Sequence, residues 1–173
     1  MTLLKINILR KMRKMLKKIK YKINKIYYKI RYNKVKFGIN TNFRDNFRIN
    51  LSKGAILQIG DGCFFNNDCS INVKEAVAIG KNCIFGENVK IYDHNHKFNQ
   101  KEIPFKKQGY SCGKIEIGEN CWVGSNVCIL KGVKIGNNVV IAAGTIVNMD
   151  IPSDTIVKNK KEYEMEKINY KNN

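Results

Sequence analysis

Apolar residues recur at every sixth position through the second half of this 173-residue chain. The clearest series comprises Ile117, Val123, Ile129, Ile135, Ile141 and Val147. This period fits neither an α-helix, which repeats after about 3.6 residues, nor an isolated strand, which alternates at about every second residue. It fits a solenoid in which each six-residue unit forms one short strand and a turn, so that three units close a triangular coil of about 18 residues.

The same spacing returns upstream in two registers, with a slip of two residues between Ile71 and Ile79. The upstream anchors are Ile59, Phe65 and Ile71, followed by Ile79, Phe85 and Ile91. Positions four residues after an anchor are small or β-branched: Cys63, Cys69, Cys83, Val89, Cys121, Val127, Val133, Val139 and Thr145. Asparagines occupy many of the corners, such as Asn120, Asn126 and Asn138, where a tight turn requires positive φ. We therefore expect anchors and small residues to share one buried core.

The repeat breaks once, in an insertion of about residues 92–114, and both histidines of the chain lie there as His94 and His96. A long loop on a rigid scaffold is a common place for catalytic groups. A neutral imidazole can accept the proton of an attacking hydroxyl, because its pKa lies near working pH. The plainer interpretation makes both histidines ordinary loop residues; we favour catalysis.

The first 34 residues form a second kind of element. Apolar residues follow a helical spacing at Ile8, Met12, Met15, Ile19, Ile23, Ile26 and Ile30. Residues 1–36 carry 14 Lys or Arg and no acid, whereas the remaining chain holds 18 basic and 14 acidic residues. We predict a basic amphipathic helix that binds an anionic membrane surface, with packing on another subunit or a short coiled coil as the alternative. No base-reading or stacking element favours nucleic acid.

These patterns predict three segments: a helical segment 1–34, an all-β solenoid domain 35–157 and a basic C-terminal tail 158–173. The six cysteines contain no CxxC pair, and with only two histidines we expect reduced thiols that pack in the core and no metal site. The N-terminus has no uninterrupted apolar stretch typical of a secretion signal or a membrane span. We expect a cytoplasmic protein that can attach peripherally to the inner face of the cytoplasmic membrane.

The repeated [Ile/Val]-Gly-x-x-[small]-x units resemble those of hexapeptide-repeat acyltransferases. Between Ile115 and Pro152 the chain is similar to galactoside, maltose and nodulation-factor O-acetyltransferases, and more widely to capsule and lipopolysaccharide O-acetyltransferases; the likeness runs from about Ile56 to Val157. The resemblance implies a left-handed parallel β-helix, acetyl-CoA as donor, a sugar hydroxyl as acceptor and homotrimers with active sites between subunits.

The same resemblance implies roles for individual residues. An ungapped match places the catalytic base on His96, while a small gap would place it on His94, and the other histidine or Asp93 would orient the base. Asn66 and Trp122 would contact the acceptor, with Trp122 also near the thioester arm. The implied positions for coenzyme A are Ser125 and Ala143. The C-terminus departs from the family pattern, so Lys158, Lys160 and Lys161 are candidates for the phosphates by charge alone.

The leading hypothesis is therefore an acetyl-CoA-dependent O-acetyltransferase for a surface glycan or its precursor. A free sugar, an amino sugar or serine is the alternative acceptor. A metalloenzyme of the γ carbonic anhydrase type needs three histidine ligands, and the chain has two. A scaffold without catalytic activity is the remaining alternative, against which the histidine pair, Asn66 and Trp122 argue.

Overall fold

The computed structural model describes residues 3–159 and consists of one long helix followed by a parallel β-solenoid. Helix α1 spans Leu3–Arg31. The solenoid strands form three parallel sheets, and a separate antiparallel pair interrupts them. The first sheet contains β1 (Val35–Phe37), β4 (Ile56–Ile59), β7 (Ala76–Ile79), β12 (Ile115–Ile117) and β15 (Lys134–Ile135).

The second sheet contains β2 (Asn42–Phe43), β5 (Phe64–Phe65), β8 (Ile84–Phe85), β13 (Trp122–Val123), β16 (Val140–Ile141) and β18 (Ile156–Val157). The third sheet contains β3 (Arg48–Leu51), β6 (Ser70–Val73), β9 (Lys90–Tyr92), β14 (Cys128–Ile129) and β17 (Ile146–Val147). The antiparallel pair is β10 (His94–His96) with β11 (Tyr110–Cys112), and a short 3₁₀ helix, Phe105–Lys107, lies between its strands. The chain thus makes five complete coils and part of a sixth, which confirms the predicted solenoid class.

The predicted anchors and small positions form one continuous core. Every anchor from Ile117 to Val147 is at most 4% exposed, and eight of the nine small positions are at most 2% exposed, Thr145 being 8% exposed. The first coils add aromatic volume, since the rings of Phe65 and Phe85 stack with centroids 4.3 Å apart. Burial of this apolar surface is the main force that holds the coils together.

The recurring Ile-Gly pairs and asparagines of the sequence lie at the corners of the coils. A Cβ on Gly80 would lie 2.6 Å from the backbone carbonyl of Gly118, so only glycine permits this stacking of coils. Asn120, Asn126 and Asn138 all have positive φ, between 56° and 59°, as expected. Asn120 also donates through its side chain to Asn138 on the next coil, at 2.9 Å. The corner residues therefore provide both the turn and a contact between coils.

Coil length accounts for the slip in the sequence register. Glu116 pairs with Lys134, a separation of 18 residues. In the earlier coils, partners lie 22 residues apart between Asn50 and Asn72 and 20 apart between Asn67 and Glu87. The extra residues lie around the corner between the third and first sheets, where β3, β4, β6 and β7 have four residues each, and they move the next anchors by the same amount. Both sheets are consequently wider in the first coils.

Helix α1 attaches to the solenoid through its C-terminal end. Tyr28 is buried against Phe43 and Phe47, and its hydroxyl donates to the Phe47 carbonyl oxygen at 2.7 Å. Burial, as the largest effect, raises the pKa of Tyr28, which keeps its hydroxyl protonated as a donor. The predicted apolar stripe from Ile8 to Ile30 does not make this contact, since its members are between 46% and 80% exposed. Across residues 3–159, no helix is both long and apolar enough to cross a membrane.

Candidate active site

The insertion that carries the histidines is a folded hairpin. His94 pairs with Cys112 and His96 with Tyr110 in antiparallel register. Beyond the strands, the buried Gln108 side chain donates to the carbonyl oxygens of Gln100 and Ile103, at 2.9 and 2.6 Å, and accepts from the Gln100 N–H. Hydrogen bonds thus order the whole segment, which the sequence predicts only as a loop.

Asp93 fixes the base of this hairpin to the previous coil. Its carboxylate is fully buried and accepts the backbone N–H of Lys74 at 2.8 Å and that of Glu75 at 2.7 Å. The same carboxylate lies 2.9 Å from Nδ1 of His94, which we interpret as the donor. This contact places Asp93 beside His94, and its predicted role in orienting the base stays a prediction.

The two histidine rings face a common aromatic neighbour. The ring of Tyr110 lies 4.5 Å from that of His96 and 5.3 Å from that of His94, measured between centroids. The His94 side chain is 16% exposed, whereas His96 is exposed to solvent. His94 is therefore held against the coil, and His96 projects further into the solvent.

Two cavities meet at the hairpin. The first, of about 310 Å³, lies on the side of the earlier coils and is lined by Asn50, Leu51, Ser52, Asn72, Val73, Lys74, Tyr92, His94, His96 and Tyr110. The second, of about 430 Å³, lies within the hairpin loop and is lined by Asn95, His96, Lys97, Phe98, Asn99, Gln100, Ser111 and Lys131. His96 is the one residue common to both linings. A group on His96 can therefore reach ligands in either cavity.

The remaining predicted site residues lie at a different corner. The histidines follow β9, at the corner between the third and first sheets. Asn66 follows β5, and Ser125 follows β13, at the corner between the second and third sheets. Asn66 accepts from the Arg44 guanidinium at 3.1 Å, and the Ser125 hydroxyl oxygen accepts the Glu87 N–H at 3.1 Å. Within one chain, these residues and the histidines form separate groups.

Trp122 and Ala143 belong to this second group. The Trp122 side chain is 55% exposed on the outer face of β13, as a bulky ring in a narrow solenoid should be. Ala143 is exposed at the same corner as Ser125, and its carbonyl oxygen accepts from the Asn159 side chain at 2.8 Å. Lys158 is exposed, while Lys160 and Lys161 lie outside the described residues, as does most of the predicted tail 158–173.

Four of the six cysteines have the packing role that their spacing predicts. Cys63, Cys69, Cys83 and Cys121 are buried, while Cys112 is exposed on the hairpin. Burial raises the pKa of the Cys69 thiol to about 11, so this group stays protonated at neutral pH. In the part of the chain that the structure describes, no cluster of three or more His, Cys, Asp or Glu side chains is arranged to hold a metal ion.

Comparison with known proteins finds similarity in the repeat region of the chain. Residues 114–148 match the family model described as bacterial transferase hexapeptide (six repeats). The putative lipopolysaccharide biosynthesis O-acetyltransferase WbbJ of Escherichia coli K12 is 28% identical over 130 residues, which cover 71% of this chain and 66% of WbbJ. The galactoside O-acetyltransferase of the same strain is 37% identical over 105 residues, covering 61% of this chain and 51% of that enzyme.

Solved structures with a similar fold are also acetyltransferases. A hexapeptide-repeat acetyltransferase of Vibrio cholerae, solved with acetyl coenzyme A, superposes with a TM-score of 0.60 at 27% identity and covers 70% of this chain and 64% of that one. A galactoside acetyltransferase in complex with coenzyme A superposes with a TM-score of 0.54 at 34% identity, covering 69% and 60%. The resemblance to hexapeptide-repeat acetyltransferases is confirmed. The chain spans between about half and two thirds of the length of these relatives.

Several residues of this region were not singled out by the sequence. Lys74, Asn72 and Tyr110 line the first cavity with the histidines, although they come from three different strands or corners. Their spacing in the sequence carries no signal of this proximity. The Asn50 and Asn72 pair could have been found from the coil length, since the two residues stack on adjacent coils 22 residues apart.

Proposed function

We propose that this protein is an acetyl-CoA-dependent O-acetyltransferase that modifies a sugar hydroxyl of a surface glycan, such as capsule, lipopolysaccharide or lipooligosaccharide, or of its precursor. The observation that carries the proposal is the position of His96 between two cavities, on a fold that resembles acetyltransferases solved with acetyl coenzyme A or coenzyme A. One cavity would hold the acceptor and the other the thioester end of the donor.

In this proposal His96 is the general base. Its imidazole takes the proton of the acceptor hydroxyl while the oxygen attacks the acetyl carbonyl carbon, and it then returns the proton to the departing thiolate. The ester C–O bond forms as the C–S bond breaks. His94 is half-buried and bonded to Asp93, so we assign it to positioning the strand that carries His96.

The second cavity suits the thioester end of the donor. Lys97 and Lys131 line it, and the Lys131 ammonium donates to the Ser111 hydroxyl at 2.9 Å. Coenzyme A carries the acetyl group at the uncharged end of its pantetheine arm, and a lysine ammonium can stabilise the negative charge that develops on the acetyl carbonyl oxygen during attack. The phosphates, at the other end of that arm, would lie outside this cavity.

We propose that the complete site forms between copies of the chain, in a trimer. Asn66, Trp122, Ser125 and Ala143 share a corner that the histidines do not, so one chain alone keeps the predicted groups apart. The outer face of the second sheet is apolar beside that corner, with Ile84, Trp122 and Ile156 between 45% and 62% exposed. Such a face favours self-association.

Light scattering tests the trimer. The wild type should have the mass of three chains, and Ile84→Lys, which places a charge in the middle of the apolar face, should dissociate it. Lys134→Glu, on the outer face of the first sheet, is the control with an altered charge at an exposed strand position. A monomeric wild type, or an Ile84→Lys protein that remains trimeric, would contradict this assembly.

We further propose that α1 binds an anionic membrane surface. Its apolar stripe is exposed, and residues 1–36 combine 14 basic side chains with no acid. This arrangement lets apolar groups enter the headgroup region while lysines contact anionic lipids. A surface location would bring the active site close to lipid-linked glycan precursors.

Vesicle flotation at moderate salt tests this attachment. The protein should float with phosphatidylglycerol vesicles and not with phosphatidylcholine vesicles, and Ile19→Glu with Ile23→Glu should abolish flotation. Ile39→Glu, at an apolar side chain that is 75% exposed outside the helix, should have no effect. A trimer that does not float, or that associates further through the stripe, would favour helix packing instead.

The acetyltransferase activity itself is tested with labelled acetyl-CoA and a panel of acceptors. Mass spectrometry should find acetyl esters on glycan fragments, and mild alkali should remove them. A stable amide on an amino sugar, or acetylated free serine, would change the acceptor class. No acetyl transfer together with no acetyl-CoA binding by calorimetry would favour a scaffold without catalytic activity.

A further inference from the structure

The first cavity combines one fixed cation with several neutral polar groups. We infer that it selects an acceptor carrying a carboxylate or phosphate group, and that Lys74 supplies the opposing charge. This inference rests on the proposed function, since it takes the first cavity as the acceptor side of His96. It adds a substrate property, the negative charge, to the general class of sugar hydroxyls.

The Lys74 ammonium is held in place before any ligand binds. Its Nζ lies 3.6 Å from the centroid of the Tyr110 ring and 3.4 Å from the Ser52 hydroxyl oxygen. The backbone N–H of Lys74 donates to the buried Asp93 carboxylate, which fixes the start of the side chain. A lysine restrained at both ends loses less conformational entropy when it binds an anion.

Within residues 3–159, no Asp or Glu carboxylate forms an ion pair with the Lys74 ammonium. The lining of the first cavity contains no Asp or Glu. Asp93 lies behind this lining, and its oxygens already accept from two backbone N–H groups and His94. A ligand anion would therefore meet a positive charge without a competing protein anion.

The neutral part of the lining suits the rest of a sugar. The Asn50 amide donates to the Asn72 carbonyl oxygen at 2.8 Å. This bond leaves the Asn50 carbonyl oxygen as an acceptor and the Asn72 amide as a donor, the two functions that a sugar hydroxyl complements. Tyr92 and Tyr110 add aromatic surface for the sugar ring. The anion on Lys74 and the hydroxyl groups on the asparagines would orient the acceptor toward His96.

Binding of small glycosides to the full-length protein tests this inference. The probes are methyl β-glucoside, methyl β-glucuronide and glucose 1-phosphate, with affinity measured by ligand-detected NMR titration. The wild type should bind an anionic probe about tenfold more tightly than the glucoside, as one charge-assisted hydrogen bond provides. Lys74→Met should lower the affinity for the anionic probes to that for the glucoside, while Lys74→Arg should keep most of the preference.

Lys81→Met is the matched control, because it removes the same charge from an exposed corner of the next coil, outside both cavities. Preference for the glucuronide would assign the anion to the sugar, and preference for glucose 1-phosphate would assign it to a carrier phosphate. Equal wild-type affinity for all three probes would overturn the inference. If Lys74→Met lowers the affinity for the glucoside by the same factor as for the anionic probes, Lys74 acts only as a structural contact of Tyr110, and the inference is also overturned.

The two proposals fail in different ways. Charge-selective binding by a protein that transfers no acetyl group from acetyl-CoA would contradict the acetyltransferase function and leave the Lys74 site standing. Acetyl transfer at equal efficiency to neutral and anionic acceptors would contradict only the role of Lys74.

Discussion

Asp93→Ala is the substitution that tests the architecture of the site most severely. The Asp93 carboxylate is completely buried and joins the hairpin to Lys74 and Glu75, at the corner between the second and third coils. Its removal leaves the backbone N–H groups of Lys74 and Glu75 without their acceptor at this partly buried corner. It also releases Nδ1 of His94.

The expected loss of stability follows from these contacts. Each buried donor left without an acceptor costs about 1–3 kcal/mol, so two donors should cost about 4 kcal/mol. For a chain of this size, about 2–4 °C of melting temperature correspond to each kcal/mol, which predicts a decrease of about 8–16 °C. Asp93→Asn keeps one oxygen but turns an NH₂ group toward a backbone N–H, and we expect about half that loss.

Circular dichroism melts at one fixed protein concentration measure the effect. Asp150→Ala is the control, because the exposed Asp150 carboxylate accepts a single backbone N–H, from Lys134, at 2.7 Å. The control should melt within about 3 °C of the wild type, since water can replace an exposed acceptor. An Asp93→Ala protein that melts as high as the control would refute the role of Asp93 as an anchor.

Three further predictions concern the solenoid itself. Iodoacetamide at pH 8 should label Cys112 quickly and Cys69 only on unfolding, because burial raises the pKa of the Cys69 thiol to about 11 and keeps it protonated at pH 8. Peptide mass spectrometry measures the labelling rate of each cysteine, and equal rates in the folded protein would contradict this prediction. Asn82→Ala should lower the free energy of unfolding by about 1–2 kcal/mol in urea titrations, since φ is 58°, while Asn82→Gly should cost less. Gly80→Ala should lower the free energy of unfolding by about 2 kcal/mol or more, because the new Cβ would lie 2.6 Å from the Gly118 carbonyl. A melting temperature equal to that of the wild type would contradict this, since it would mean that the coils can move apart.

The solenoid could be predicted because every six-residue unit repeats the same local pattern of buried and exposed positions. A residue six positions after an anchor returns to the same environment in the next strand, so the sequence repeats whatever the structure repeats. The same rule extends further upstream than the family likeness, since Phe37, Phe43 and Ile49 are also spaced by six and lie in the first coil. The Asn corners follow for the same reason, because positive φ limits the choice of residue.

The geometry of the candidate site depends on contacts between distant positions, and the sequence carries little of it. The break in the repeat locates His94 and His96, but nothing in the spacing predicts that His96 faces Tyr110 or that Asp93 binds the N–H groups of Lys74 and Glu75. These contacts arise when a 20-residue coil brings residue 93 beside the corner after β6. The roles of Asn66, Trp122, Ser125 and Ala143 remain predictions.

The central claim, that His96 is the base between donor and acceptor, is tested most directly by comparing His96→Asn with His94→Asn. With the best acceptor from the panel, kcat/KM for acetyl transfer should decrease about 10³-fold in His96→Asn, within the range for loss of a general base. His94→Asn should lose about tenfold or less, and calorimetry should find acetyl-CoA bound equally by both variants. A His96→Asn enzyme with wild-type kcat/KM, or complete loss in His94→Asn alone, would contradict the account.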